Sequence, residues 1–247
     1  NIWESIGFHP HPGQIRAFNN YLLHRYNWAC AGKRGGKSDF AARGLIWSEF
    51  TRKEKHTQGM KTVIQNDGTV VRIKERWPKK ILIVAPYYKQ GRITFGKVHR
   101  LARKEGIQLR RDSFSKQEME METYDGAIVS CQTARNISSA PGHDWDLVVA
   151  DEMPIFPGDP EEVFEEILFP TLLDGLGSFF GIGTPDFPGS YTYDLMLKGQ
   201  DPDIKRWGFT SWPTVENWHM AHYKAELEEI KKITPKDIFD RTYMAKY

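Results

Sequence analysis

Short, continuous runs of apolar residues recur along the chain and alternate with longer segments of mixed character. The runs are Tyr26–Ala31, Ile81–Ala85, Ala127–Cys131, Leu147–Ala150 and Ser178–Ile182. Strands that are apolar on both faces are typical of a parallel sheet covered on both sides. The pattern therefore predicts an α/β fold with a mostly parallel central sheet and helices on both faces.

Two segments between the predicted strands have patterns of their own. Residues Ser38–Lys55 follow the first apolar run after a short glycine-rich stretch and carry an apolar face at helical spacing, which predicts a helix. Residues 61–74 alternate on both sides of Asp67-Gly68, a dipeptide typical of a tight β-hairpin turn. We interpret this hairpin, at about residues 60–76, as an insertion at the edge of the sheet.

The character of the chain changes beyond Trp212-Pro213. Residues Glu216–Ile233 are charged and helical in pattern, and Pro235 begins another helical turn. We therefore divide the chain into an α/β core over residues 1–212 and a small helical lid or linker subdomain over residues 213–247.

Composition limits the class of protein. The chain has 247 residues, of which 40% are hydrophobic, and no apolar run approaches the roughly 20 residues that span a bilayer. It lacks the basic and then apolar start of a signal peptide, so we expect a cytosolic protein without a membrane partner. Cys30 and Cys131 lie in apolar stretches and are expected to be buried free thiols. A net charge of +2 is too small to indicate nucleic-acid binding by itself.

The stretch CAGKRGGKSDF, residues 30–40, connects the first predicted strand to the first predicted helix. A glycine-rich loop in this position can hold phosphate oxygens with its backbone N–H groups, helped by the helix dipole. Lys37 would then reach the β- and γ-phosphates and Ser38 would ligate Mg²⁺. Ala31 stands where the first glycine of such a loop is expected, so a glycine-rich turn that carries a lysine by chance is the alternative. The candidate nucleotide-binding residues of this stretch are Gly32, Lys33, Arg34, Gly35, Gly36, Lys37, Ser38 and Asp39.

Two later strands end in polar residues that complement this loop. The apolar run Leu147–Ala150 is followed by Asp151 and Glu152. An acid at the end of a strand can hold the Mg²⁺ shell, and the next glutamate can act as general base toward water. Thr184, at the end of the last apolar run, is a candidate for sensing the γ-phosphate. An acidic pair in this position favours an ATPase with a catalytic glutamate over a GTPase.

The motifs and their order resemble the ATPase domain of the large terminase subunit of tailed phages, the DNA-packaging motor. The matching segments, which cover roughly residues 8–220, are His11-Pro-Gly-Gln14, Gly32–Ser38, Ile81–Tyr87, Asp151-Glu152, Gly183-Thr-Pro185 and Thr210–Asn217. The resemblance implies a P-loop NTPase of the catalytic-glutamate type, ATP and Mg²⁺ as cofactors, and Thr184 as a coupling residue. It further implies that Gln14 binds on the adenine side and that Arg135 is the candidate arginine finger, although the segment around Arg135 lacks the family's Arg-Gly pair.

The resemblance also implies partners and a location. They are double-stranded DNA, the portal protein, the small terminase subunit and further copies of the chain in a ring, described for the family as a pentamer, on the procapsid in the cytoplasm of the infected host. The family's nuclease domain has no counterpart in these residues, so we expect no nuclease activity from them. The candidate DNA-binding residues are Lys97, Arg100, Arg103, Lys104, Arg110 and Arg111. The basic side chains of the hairpin are a second possibility.

Three other functions remain open at this stage. A helicase-like or repair DNA translocase would carry the same core and would separate strands at a fork. A small-molecule phosphotransferase would use the same loop but would leave Glu152 unexplained. A non-hydrolysing, nucleotide-gated assembly protein would bind ATP without releasing phosphate.

Overall fold

The computed structural model describes residues 2–51, 60–64, 68–74, 79–139, 144–173 and 175–247. The strands within these ranges are β1 (Tyr26–Ala31), β2 (Met60–Ile64), β3 (Val70–Lys74), β4 (Lys80–Ala85), β5 (Leu109–Phe114), β6 (Met119–Thr123), β7 (Ile128–Thr133), β8 (Leu147–Asp151), β9 (Ser178–Gly183) and β10 (Trp207–Trp212). The α-helices are α1 (Ile2–Ser5), α2 (Pro12–Leu23), α3 (Lys37–Asp39), α4 (Trp47–Phe50), α5 (Tyr88–Lys104), α6 (Pro160–Glu162), α7 (Phe169–Thr171), α8 (Tyr191–Gln200), α9 (Tyr223–Ile233) and α10 (Lys236–Met244).

A central eight-stranded sheet organises the chain in the order β10-β1-β9-β8-β4-β7-β6-β5. The strands from β10 to β7 are parallel, whereas β6 and β5 are added antiparallel at one edge. The five apolar runs of the sequence form β1, β4, β7, β8 and β9, so the prediction of a mostly parallel sheet is confirmed. Because parallel strands end at the same edge, the loops after β1, β8 and β9 lie side by side.

Both faces of the sheet are covered, as the continuous apolar strands predicted. The loop between β1 and α3, residues 32–36, is called the phosphate loop below after its predicted role. On one face Ile83 and Val149 pack with the helix after this loop and with α2 and α5. On the other face Trp28 and Val148 pack with the helical segment 160–171 and with α8. Alternate residues of each strand therefore contribute to two separate cores. Cys30 and Cys131 are buried free thiols, as expected.

The helix after the phosphate loop is irregular. It continues from α3 as a π-helix over Phe40–Ile46 and ends as α4 at Phe50, whereas the sequence predicted a helix over 38–55. Residues 52–55 lie outside the described ranges. Short π-helical segments are rare and occur often at functional sites.

Three features differ from the sequence-based expectation or were missed by it. Strands β2 and β3 form the predicted antiparallel hairpin. Within the described ranges these two strands pair only with each other and form a sheet separate from the main one. Asp67 of the predicted turn lies outside those ranges. The basic run at residues 100–111 begins on α5 with Arg100, Arg103 and Lys104 and continues into β5, which pairs with β6. Strand β10 was missed because it mixes aromatic residues with glycine, threonine and serine and therefore does not form an apolar run.

The segment after β10 is helical, as predicted. Two 3₁₀ turns, Thr214–Glu216 and Trp218–Met220, lead into α9 and α10. The backbone N–H of Lys33 donates to the carbonyl of Thr242, so this segment rests directly on the phosphate loop. A separate lid subdomain over 213–247 stays a prediction. No helix in the described ranges is both long and apolar enough to span a bilayer.

Candidate nucleotide-binding site

Side chains behind the loop between β1 and α3 hydrogen-bond its carbonyl oxygens. The contacts are His11 Nε2 to Gly35 O (3.0 Å), Trp212 Nε1 to Gly35 O (2.7 Å), Gln14 Nε2 to Gly36 O (3.0 Å), Thr214 Oγ1 to Lys33 O (2.7 Å) and Asn217 Nδ2 to Arg34 O (2.8 Å). Since a carbonyl only accepts, His11 must carry its proton on Nε2. The carbonyl oxygens of four consecutive residues, 33–36, therefore already accept hydrogen bonds from side chains of the protein.

Three backbone N–H groups of the same loop, those of Gly32, Lys33 and Gly35, donate to backbone carbonyls, and four others are left available. Those of Arg34, Gly36, Lys37 and Ser38 donate to no group within the described part of the chain. Successive free amides at the start of a helix form an anion-binding concavity, which the helix dipole reinforces. The loop thus has the polarity that a phosphate group requires.

Glycine is required in this loop for two different reasons. Gly36 adopts φ 81°, in the left-handed region, and a Cβ there would lie 2.7 Å from Nε2 of Gln14. Gly32 is constrained by the protein and not by phosphate, since a Cβ there would lie 2.4 Å from both Thr214 Oγ1 and the carbonyl oxygen of Tyr243. Ala31 is the last residue of β1 and fits as a strand residue, so the missing first glycine of the motif creates no strain.

Three predicted catalytic residues converge beside the loop. The Nζ of Lys37 lies 3.3 Å from Oε1 of Glu152 and donates to Oγ1 of Thr184 at 3.0 Å. The backbone N–H of Thr184 donates to Oε2 of Glu152 at 3.3 Å. Glu152 adopts φ 56°, an uncommon left-handed conformation for a non-glycine residue. The contacts arise because β9 lies between β1 and β8 and all three strands end at one edge.

Asp151, at the end of β8, is almost completely buried. Its Oδ2 accepts a hydrogen bond from Oγ1 of Thr94 at 2.5 Å, and its Oδ1 has no hydrogen-bond partner among the described residues. Burial raises the pKa of Asp151 to about 6, against the lowering effect of the Thr94 hydrogen bond, and the neighbouring Glu152 raises it further. A cation close to Oδ1 would offset this cost of burial.

These groups fit a magnesium ion. Mg²⁺ in nucleotide sites is held by one or two protein oxygens together with phosphate oxygens and water. Asp151 presents an oxygen without a hydrogen bond, and Ser38 lies half-buried in the wall of the adjacent cleft. The described residues contain no cluster of three or more His, Cys, Asp or Glu suited to a metal.

A cleft of about 900 Å³ runs past the loop. Its walls include Lys37 and Glu152 on one side and Tyr223 of α9 and Tyr243 of α10 on the other. The guanidinium of Arg34 lies 5.2 Å from the ring centroid of Tyr223, a cation–π contact between the loop and the C-terminal helices. Lys33, Gly36 and Asp39 also line the cleft, as the nucleotide-site prediction requires.

Neither Gln14 nor Arg135 lines this cleft. The Gln14 amide is buried and engaged at both ends, with Oε1 accepting from the His11 backbone N–H and Nε2 donating to Gly36. Arg135 is exposed in a short 3₁₀ segment after β7 and lines a separate cavity of about 350 Å³ at the same edge of the sheet. Contact of Gln14 with adenine and of Arg135 with a neighbouring subunit's phosphate stay predictions.

The candidate DNA-binding residues are mostly paired with acids. The pairs are Lys97 with Asp39 (3.0 Å), Arg103 with Asp112, Lys104 with Glu105 (3.9 Å), Arg110 with Glu122 (3.7 Å) and Arg111 with Glu120 (3.0 Å). Lys97 belongs to the nucleotide cleft, and Arg100 is exposed. The run is therefore less positive than its sequence suggested, and its contact with DNA stays a prediction.

Sequence reasoning missed the supporting residues His11, Thr94, Trp212, Thr214 and Asn217. His11 belongs to the matching segment His11–Gln14, but its hydrogen bond to the phosphate loop was not predicted. Trp212, Thr214 and Asn217 belong to the segment Thr210–Asn217, whose pattern was noticed without a physical role. For Thr94 the only signal is a buried polar residue among apolar positions of a helix, which becomes informative only when the helix position is known.

Comparison with known proteins finds a relative among the phage large terminases. No protein-family model matches the chain. The chain is 24% identical over 253 residues to the large terminase subunit of Escherichia phage T5, in an alignment that covers 100% of this chain and 50% of that protein. It therefore spans about half the length of this curated relative.

Solved structures of phage large terminases share the fold. The ATPase domain of the Thermus phage P74-26 large terminase superposes with a TM-score of 0.71 at 20% identity, covering 99% of this chain and 96% of that chain. The large terminase of bacteriophage HK97 gives 0.68 at 10% identity, with 97% of this chain and 51% of that chain covered. The large terminase of another thermophilic bacteriophage, solved in complex with ADP, gives 0.65 at 11% identity, with 96% of this chain and 53% of that chain covered.

The fold expectation is thus confirmed. The ordered motifs, the sequence match and the superpositions agree: this chain is similar to the phage large terminase subunits and has the α/β P-loop fold of their ATPase domains.

Proposed function

We propose that these residues form the ATP-hydrolysing motor of a phage large terminase, which couples Mg²⁺-dependent ATP hydrolysis to translocation of double-stranded DNA into a procapsid. The single observation that carries the proposal is the convergence of Lys37, Glu152 and Thr184 beside a loop in which four backbone N–H groups donate to no group among the described residues. The portal protein, the small terminase subunit and a ring of further copies are the partners that this function requires.

Each residue has a distinct task in hydrolysis. The amides of the loop and Lys37 bind the phosphate oxygens and stabilise the charge that develops during transfer. Glu152 accepts the proton of the attacking water, because a carboxylate next to the γ-phosphate position is a suitable general base. Asp151 and Ser38 would hold Mg²⁺, which neutralises phosphate charge when it is bound.

Thr184 provides the link from chemistry to movement. It contacts both Lys37 and Glu152 and lies at the end of β9, the strand between the loop strand and the acidic strand. If Lys37 moves when the γ-phosphate is lost, its hydrogen bond to Thr184 would therefore move Thr184 and the chain that follows β9. The contact of Lys33 with the C-terminal helices offers a second route for the same signal.

The first test separates binding from hydrolysis. Glu152→Gln should bind a fluorescent ATP analogue yet release phosphate more slowly by a factor on the order of 10²–10⁴, the usual contribution of a general base. Glu229→Gln, at an exposed glutamate whose ion-pair partner among the described residues is Lys232, is the matched control and should retain the parent rate. A normal rate in Glu152→Gln would remove Glu152 from the mechanism.

The second test concerns DNA. A motor that moves along intact duplex should displace a third strand bound ahead of it, with ATP and not with Glu152→Gln. Strand separation at a fork without displacement of the third strand would favour the helicase-like alternative. Phosphate transfer to a small acceptor in the absence of DNA would favour the phosphotransferase.

A further inference from the structure

A threonine of α5 is hydrogen-bonded to the predicted magnesium-site acid. Thr94 is completely buried, and its hydroxyl donates to Oδ2 of Asp151 at 2.5 Å, 57 positions away in the sequence. The other carboxylate oxygen, Oδ1, is buried without a hydrogen-bond partner in the part of the chain that the structure describes. One oxygen of Asp151 is therefore fixed by the protein while the other stays available.

Helix formation does not explain a threonine at this position. The buried apolar side chains near it on α5 are Phe95, Val98, Leu101 and Ala102, which pack into the core. Threonine has a lower helix propensity than these alanine and leucine residues, and a helical threonine usually bonds the carbonyl of the preceding turn. Here the hydroxyl instead reaches across to another element, so its contact with Asp151 is what distinguishes it.

The position of Thr94 is fixed by close packing. Gly91, one turn earlier, lies so near the sheet that a Cβ would be 2.7 Å from Sγ of Cys131 and 3.3 Å from Cβ of Ala85. One turn later, Nζ of Lys97 lies 3.0 Å from Oδ1 of Asp39 at the start of the phosphate-loop helix. Helix α5 is thus held both to the sheet and to the loop, and Thr94 lies between these two contacts.

We propose that Thr94 is a positioning residue that orients the carboxylate of Asp151, so that Oδ1 faces the magnesium ion of the ATPase site. The inference rests on the proposed function, since it assigns a partner to the metal-site acid of that same reaction. Groups that hydrogen-bond a metal-binding carboxylate orient it, and their loss lowers metal affinity or activity by about 10- to 100-fold.

The experiment measures binding and not turnover. The affinity for a fluorescent ATP analogue is determined with the metal chelated and then across a magnesium titration. Thr94→Val keeps the shape of the side chain but removes the donor. It should bind the analogue normally without metal and need about tenfold more magnesium for half-maximal enhancement. Thr94→Ser should behave close to the parent, because it restores the hydroxyl.

A matched control is available in the same sheet. Thr123 is also buried and its hydroxyl also donates to an aspartate, Asp125, but at the opposite edge of the sheet. Thr123→Val should leave the magnesium dependence unchanged. An unchanged magnesium dependence in Thr94→Val would overturn the inference, as would an equal loss of affinity with and without metal, which indicates a structural role. If the parent protein itself bound no ATP analogue, the proposed ATPase function would be overturned first.

Discussion

The Nζ of Lys37 and Oε1 of Glu152 form an ion pair at 3.3 Å, with the Lys37 side chain 8% exposed and that of Glu152 22% exposed. The cation expected to bind phosphate and the carboxylate expected to activate water are thus paired directly. A phosphate group that binds Lys37 competes with Glu152 for the same ammonium. Binding would therefore release Glu152 toward water, while its Oε2 can keep the backbone hydrogen bond from Thr184.

Removing the Lys37 ammonium should weaken nucleotide binding itself, before any chemical step. In Lys37→Met we expect at least a tenfold weaker affinity for the ATP analogue, because a hydrogen bond to a charged group contributes about 1.5–3 kcal/mol. Lys232→Met, at an exposed lysine on α9, is the control and should bind as the parent does. Binding at the parent affinity in Lys37→Met would contradict the assignment of this loop as the phosphate site.

Stability should decrease in mild acid because of His11. Burial lowers the pKa of His11 from its ordinary value of 6.5, against the raising effect of the Gly35 hydrogen bond. A histidine with a lowered pKa in the folded state takes up a proton more readily when the protein unfolds. The free energy of unfolding must therefore fall as the pH drops below 6.5 and rise as the pH increases through that range.

The measurement compares the parent with His11→Gln, which keeps an N–H donor but does not titrate. Denaturant unfolding from about pH 7.5 to about pH 5 should show a steeper loss of stability in the parent. Parallel pH profiles for the two proteins would show that His11 is not the responsible group.

A methyl group at Gly32 should disturb the contact between the loop and the C-terminal segment. In Gly32→Ala the new Cβ meets Thr214 Oγ1 and the carbonyl oxygen of Tyr243, and overpacking of this kind costs about 1–3 kcal/mol. We expect a lower free energy of unfolding and faster proteolysis after residue 213. An unchanged rate of proteolysis would mean that the segment is not held at Gly32.

Mixing two inactive variants tests whether Arg135 acts on a neighbouring subunit. Arg135 does not line the nucleotide cleft of its own chain. It lies at the edge of the sheet where the phosphate loop also lies. An arginine supplied in trans contributes about 10³–10⁵ in rate. Arg135→Ala alone and Glu152→Gln alone should be nearly inactive, but a mixture should recover activity because one subunit supplies the arginine and the other the base.

The outcome is read from the rate of phosphate release as the ratio of the two variants is changed. Maximal recovery near equal amounts supports action between subunits. A mixture that stays as slow as the separate proteins would place Arg135 outside the reaction.

Local patterns predicted those parts of the site that are continuous in the chain. The phosphate loop is a strand, a turn and a helix start in direct succession, and Asp151 and Glu152 directly follow a strand. Each of these features depends on neighbouring residues, so the sequence contains the whole signal. The same holds for the buried cysteines and the helical character of residues after 213.

Charge patterns along the chain were a poorer guide. Arg110 and Arg111 stand in a basic run, but they lie on β5 opposite the acids of β6, including Glu120 and Glu122. A pairing between strands brings together charges that are separate in the sequence, and the net charge of the surface cannot be obtained from one strand alone. The antiparallel edge of the sheet was missed for a related reason, since β5 is largely exposed and has no apolar run.

The amino-acid sequence by itself determined which strands are buried on both faces and which short segments carry the phosphate-binding and acidic groups. Only the tertiary structure decided that β9 separates β1 from β8, so that Lys37, Glu152 and Thr184 meet. Only the tertiary structure likewise brought Trp212 into a hydrogen bond with Gly35 and Thr94 into a hydrogen bond with Asp151. The physical reason is that these contacts join residues far apart in the chain, and their geometry is set by strand order and close helix packing, to which a local pattern is insensitive.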